Sequence, residues 1–85
     1  MQEKEIGRVT HYFGKISVGI IELTDGLKVG EDIHIRGLHS DFTQKVDSIQ
    51  IEHQKVEEAK AGEFVGIKVA DKVHENDKVY KVLEE

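Results

Sequence analysis

Apolar residues recur along this chain with a period of two, in runs of about four to eight residues. Ile16, Val18 and Ile20 alternate with Ser17 and Gly19. Ile33 and Ile35 alternate with His34 and Arg36, and Val65, Ile67 and Val69 with Gly66 and Lys68. Val79 and Tyr80 begin a last short strand that runs through Leu83. Side chains alternate across a strand, so each run offers one face to a core. Two places break parity: Ile6 with Val9, and Val46 with Ile49, cannot face the same way in a regular strand. A β-bulge would restore the register by inserting one residue, and Gly7 is the natural place for the first.

Turn signals separate the runs. They are Thr24-Asp25-Gly26, Gly30-Glu31-Asp32, the polar stretch Gly37 to Asp41, Ala61-Gly62-Glu63 and Glu75-Asn76-Asp77. Connections this short favour antiparallel neighbours. Only Val56 to Ala61 reads as helical, and it is too short to stand alone. The pattern predicts an all-β fold: a small, closed, antiparallel Greek-key barrel of about six or seven strands.

Composition narrows the class. Eighty-five residues make one domain, residues 1–85. There is no proline and no cysteine, so neither disulfides nor thiolate metal sites staple it. No window approaches the ~20 apolar residues of a membrane span. The charged start, Met1 to Glu5, argues against a cleaved signal peptide, and a cytoplasmic protein is expected. Twelve basic residues face 17 acidic ones, the reverse of a generic nucleic-acid binder. Residues 1–30 are neutral, with Lys4, Arg8, Lys15 and Lys28 against Glu3, Glu5, Glu22 and Asp25.

The order of the turns carries a resemblance. Gly26-Leu27-Lys28-Val29-Gly30-Glu31-Asp32-Ile33-His34-Ile35-Arg36-Gly37 resembles a segment of domain II of elongation factor Tu and the other translational GTPases. Val46 and Ile49-Gln50, then Glu58 to Ile67, then Glu75 to Val79, are similar to later segments of that domain. Asn76 replaces a usual glycine there, and asparagine is the next best residue at positive φ. The resemblance implies a stand-alone domain II-like β-barrel, without the GTPase domain and without its G-x-x-x-x-G-K-[ST] phosphate loop. Gly7-Arg8-Val9-Thr10-His11-Tyr12-Phe13-Gly14-Lys15-Ile16 is also similar to the start of small barrels appended to collagenase-like peptidases. That second likeness implies an accessory domain and brings no peptidase active site with it.

Arg8, His11, Tyr12, Phe13 and Lys15 form the candidate partner-binding cluster. Two of the five aromatics stand there beside three residues that can be cationic. Such a set can stack bases and hold phosphates, or Tyr12 and Phe13 can instead cap the barrel core. Glu58 and Lys60 lie where the elongation-factor domain lines its pocket for the end of aminoacyl-tRNA, so the resemblance makes them a possible RNA-binding pair. The alternative is two exposed charges before a turn. Five histidines include no H-x-H or H-x-x-x-H pair, and a zinc site needs three or four convergent ligands. His34, His39 and His53 read as scattered, with no metal and no cofactor implied. Ser17, Ser40 and Ser48 lack a nucleophile-elbow context.

Together these readings point to a non-catalytic binding module, not an enzyme. The first expectation is a translation-associated partner: ribosomal RNA, transfer RNA or a ribosomal protein. The alternative is an accessory protein-interaction domain docking on a separate RNA-modifying or peptidase-like enzyme. No membrane partner is expected, and the oligomeric state is left open.

Overall fold

The computed structural model describes residues 2–83. It contains ten strands: β1 (Gln2–Phe13), β2 (Val18–Leu23), β3 (Leu27–Lys28), β4 (Asp32–Arg36), β5 (Asp41–Lys45), β6 (Ile49–Ile51), β7 (Gln54–Val56), β8 (Glu58–Ala59), β9 (Phe64–Lys68) and β10 (Lys78–Leu83). Eight form one sheet in the order β5-β4-β10-β1-β2-β9-β6-β7, and β3 pairs with β8 in a two-stranded ribbon. Every pairing is antiparallel. The described residues include no helix, so none is long and apolar enough to cross a membrane.

The all-β antiparallel class read from the sequence is the class observed. Closure into a barrel is not shown by the strand pairing, which does not join the two edges of the eight-stranded sheet. One side chain spans part of the gap: Gln44 on β5 donates from Nε2 to the Lys68 carbonyl at 2.9 Å and accepts the Ala70 N–H at 2.6 Å. The strand count exceeds the expectation because several strands have only two or three residues.

The 12-residue β1 pairs with β10 on one side and β2 on the other. Its register slips between Glu5 and Gly7 against β10, leaving Ile6 as the extra residue. A second slip, between Val9 and His11, falls against β2. The first slip turns both Ile6 and Val9 into the core, where neither is exposed, and the second resets the facing of the residues after Thr10. Gly7 is required at the first bulge. A Cβ there would lie 2.5 Å from the Glu22 carbonyl oxygen and 2.9 Å from Ile21 Cγ2.

The second parity break has another cause. Val46 and Ile49 are both buried, yet no bulge joins them: β5 stops at Lys45 and β6 starts at Ile49. The helical reading of residues 56–61 fails because tertiary pairing overrides a weak local preference. Val29 donates its N–H to the Glu57 carbonyl, and Ala59 pairs with Leu27.

The core is wholly aliphatic. Ile6, Val9, Ile21, Leu23, Ile33, Ile35, Val65, Ile67 and Val79 are at most 1 % exposed, and no aromatic is buried with them. Tyr12 and Phe42 pack against this core only from its margin. The face assigned to Ile16, Val18 and Ile20 needs correction. In β2 the buried positions are Gly19, Ile21 and Leu23, so the apolar set read from the alternation points outward.

Candidate docking surface

The outward set of β2 is one wall of an apolar groove. β2 contains the doublet Ile20-Ile21, and β9 opens with Phe64-Val65. A strand cannot bury both members of an adjacent pair on one face. Ile21 and Val65 enter the core, which leaves Ile20 and Phe64 outside, the latter 54 % exposed. Pairing of β2 with β9 sets Ile20 opposite Gly66 and Glu22 opposite Phe64. Phe13, opposite Val18, is 46 % exposed, and Ile16 in the adjoining turn is 60 % exposed.

These side chains line a depression of about 400 Å³. Gly66 forms its floor: a Cβ added there would come within 3.3 Å of Val18 Cγ1 and 3.6 Å of Ile20 Cδ1. Gln50, Glu52 and His53 complete the lining. Two hairpins reach this groove through residues with positive φ. Ser17 (φ 57°) ends the β1–β2 turn, and Glu52 (50°) and His53 (67°) form the tip between β6 and β7. Glycine or asparagine is the relaxed choice at such positions, and other residues cost about 1 kcal/mol each or more.

The expected cluster of Arg8, His11, Tyr12, Phe13 and Lys15 does not act as one surface. Phe13 lies in the groove, and His11 stands edge-on to it with ring centroids 4.5 Å apart. Tyr12 points to the other side and packs on the core margin. Arg8 is held by Glu22 at 3.1 Å and donates to Asn76 Oδ1 at 3.2 Å. Lys15 is exposed in the turn between β1 and β2. Glu58 and Lys60 sit apart, at the β3–β8 ribbon: Glu58 pairs with Lys28, and the Lys60 N–H donates to Glu63 Oε1 at 2.6 Å. Ile16, Val18, Ile20 and Phe64 were missed as surface residues. The two apolar doublets were the signal that could have found them.

Two polar clusters resemble chemistry without having its geometry. Ser40, His74 and Asp77 converge, but Ser40 Oγ (3.1 Å) and Asp77 Oδ2 (3.7 Å) address the same ring atom, Nδ1 of His74. A relay needs the acid and the nucleophile on opposite ring nitrogens. Ser40 and Asp77 are buried, and their other bonds go to backbone groups and tie loops together: Ser40 Oγ donates to the Lys72 carbonyl, and Asp77 accepts the His74 N–H. His34 lies between two carboxylates, with Glu3 2.8 Å from Nδ1 and Asp41 2.5 Å from Nε2. The bond to Asp41, followed by that to Glu3, raises the His34 pKa above its ordinary value against the opposing effect of burial. Because the carboxylates occupy opposite edges of the ring, the three groups do not converge on a common point. Among the described residues no set of three His, Asp or Glu side chains is placed to hold a metal ion.

Comparison with known proteins redirects the functional reading. No family model matches the chain. It is 46 % identical over 81 residues to an uncharacterized protease of Methanocaldococcus jannaschii, covering 94 % of this chain and 20 % of that protein. It is 35 % identical over 82 residues to a collagenase of Porphyromonas gingivalis, covering 94 % of this chain and 23 % of that protein. The chain thus spans about a fifth of the length of the curated relatives it matches. Among solved structures, it superposes on the C-terminal domain of a Geobacillus thermoleovorans protein assigned to the U32 peptidases, with a TM-score of 0.88 and 18 % identity over 94 % of this chain and 93 % of that one. That likeness is one of fold.

These findings overturn the assignment to domain II of the translational GTPases, and with it the expectation of an elongation-factor-like, translation-associated RNA-binding module. The motifs behind it are turn chemistry. Gly30 (φ 95°) and Gly62 (φ 91°) reverse the chain where a side chain would be strained. Any small barrel-like sheet with the same reversals can converge on them, so they report fold and not partner. The RNA role considered for Glu58 and Lys60 rested on that likeness. The second likeness, to small barrels appended to collagenase-like peptidases, agrees with the relatives found.

Proposed function

We propose that this chain is a non-catalytic accessory domain that docks on a peptidase-like protein through the groove face of β1, β2 and β9. One observation carries the reading: an apolar outer face on a domain whose core is already complete without it. Phe13, Ile16 and Phe64 add nothing to the aliphatic interior and are exposed together around one depression. Contiguous apolar surface of this kind marks an interaction site. The longer relatives suggest the class of partner, since the matching stretch in them is joined to a protein described as a protease or collagenase. Within the earlier cluster, Phe13 becomes the anchor, His11 stands beside it, Arg8 serves its ion pair, Tyr12 serves the fold, and Lys15 stays in the exposed turn outside the lining.

The test is affinity capture from the source organism with quantitative mass spectrometry, comparing wild type with the Ile16→Ser/Phe64→Ser double variant. Both changes are at exposed positions, so the variant should fold normally. A peptidase-like chain recovered by wild type and lost by the variant is the expected result. Equal recovery by both, or no peptidase-like chain with either, refutes the proposal.

A further inference from the structure

We propose that the groove receives an apolar side chain borne beside a cationic group, and that Glu52 is the residue selecting the charge. The inference rests on the docking face proposed above and specifies what that face accepts. Glu52 and His53 occupy a two-residue hairpin tip with φ of 50° and 67°. Asn-Gly is the relaxed sequence for such a tip. Among the described residues neither side chain makes a hydrogen bond or ion pair that offsets the strain. What the two share is their position: both line the apolar groove. The hairpin itself demands positive φ at both positions, so what lacks a return within the domain is the choice of Glu and His over Asn-Gly, and their place at the groove points to recognition.

The charge follows from the lining. Glu52 is the one carboxylate among the described lining residues, and none of them is lysine or arginine. The chain's net charge of −5 adds a long-range preference of the same sign. An acidic occupant would meet Glu52 as a like charge, whereas a basic one pairs with it while its apolar neighbour covers Val18, Ile20 and Gly66. The occupant is therefore a partner segment that places a branched or aromatic side chain next to lysine or arginine.

The test uses two probes with the same ring and opposite charge, phenethylammonium and hydrocinnamate, titrated into the isotope-labelled chain by NMR. Both should shift the amides of Val18, Ile20 and Gly66, with the cation binding about threefold more tightly. Glu52→Gln should make the two probes equal. The double change Glu52→Asn/His53→Gly should also remove the preference while raising the melting temperature by about 5 °C, because the tip is relaxed. Equal affinity of the probes for wild type, shifts confined to other faces, or a relaxed tip that keeps the preference would overturn the inference. Line broadening that grows with protein concentration and disappears in Phe64→Ser would also overturn it, by making a second copy the occupant. If the peptidase-like partner docks elsewhere while the probes keep their preference, only the docking proposal fails. If the partner docks here and the probes show none, only this inference fails.

Discussion

Ile20 and Ile21 are neighbours of the same type on the same strand, so truncating each to alanine isolates the effect of facing. Ile21 has no exposed surface and sits in the aliphatic cluster. Ile21→Ala should cost about 2–5 kcal/mol, the range for a buried isoleucine that leaves a cavity. The whole domain is stabilised by only about 5–15 kcal/mol. One kcal/mol moves the midpoint of a domain this size by about 4–8 °C, so the melting temperature should fall by about 10 °C or more. Ile20 lies on the outer wall of the groove and is half-buried. The same atoms removed there leave open surface in place of a cavity, and the expected cost is about 1 kcal/mol or less. Thermal and urea unfolding followed by circular dichroism measures both. The binding assay should rank them the other way, with Ile20→Ala weakening docking. Equal destabilisation by the two variants, or a larger effect of Ile20→Ala, would refute the facing of β2 and with it the groove.

Gly7→Ala should destabilise by about 1–3 kcal/mol, because the new Cβ meets first the Glu22 backbone, which cannot swing aside, and then the methyl of the buried Ile21; an unchanged urea midpoint would remove the first bulge from the description. His34 gives a pH dependence of defined sign. Its folded pKa lies above the ordinary 6.5, so its stabilisation is complete below the unfolded value and is lost as pH rises through the folded one. The groups facing it are Glu3, Asp41 and Tyr80. The melting temperature should therefore fall more steeply in wild type than in His34→Gln as pH rises above the ordinary 6.5, and parallel curves would contradict the pairing.

Much of the fold was legible because period-two alternation and turn residues report local geometry. Ile33, Ile35, Val65 and Ile67 turn inward as read, and Gly7 sits at a bulge as read. β2 misled because both of its faces are apolar, and alternation alone cannot tell a core face from a docking face. The short β8 misled because its pairing partner, Leu27 to Lys28, lies far away in sequence, and β7 because the tip that joins it to β6, Glu52-His53, carries neither glycine nor asparagine to signal a turn. At the site, the aromatic cluster was legible as a feature, but its division was not. Phe13 and Tyr12 separate because adjacent strand residues face opposite ways, and the bulge at Thr10 resets which of them faces out. The likeness to translation proteins failed for a related reason: glycine positions encode reversals, and reversals are shared by folds with different partners.

The most direct test places a photo-crosslinking benzoylphenylalanine at position 64 in cells, with a control at the exposed Arg36 on β4, away from the groove. Irradiation should join the position 64 derivative to a peptidase-like chain, with crosslinks lost when Ile16 is also changed to serine, while the position 36 derivative gives none. Crosslinking to that partner from position 36 but not 64, or none from position 64 in a folded protein, would contradict docking through this face.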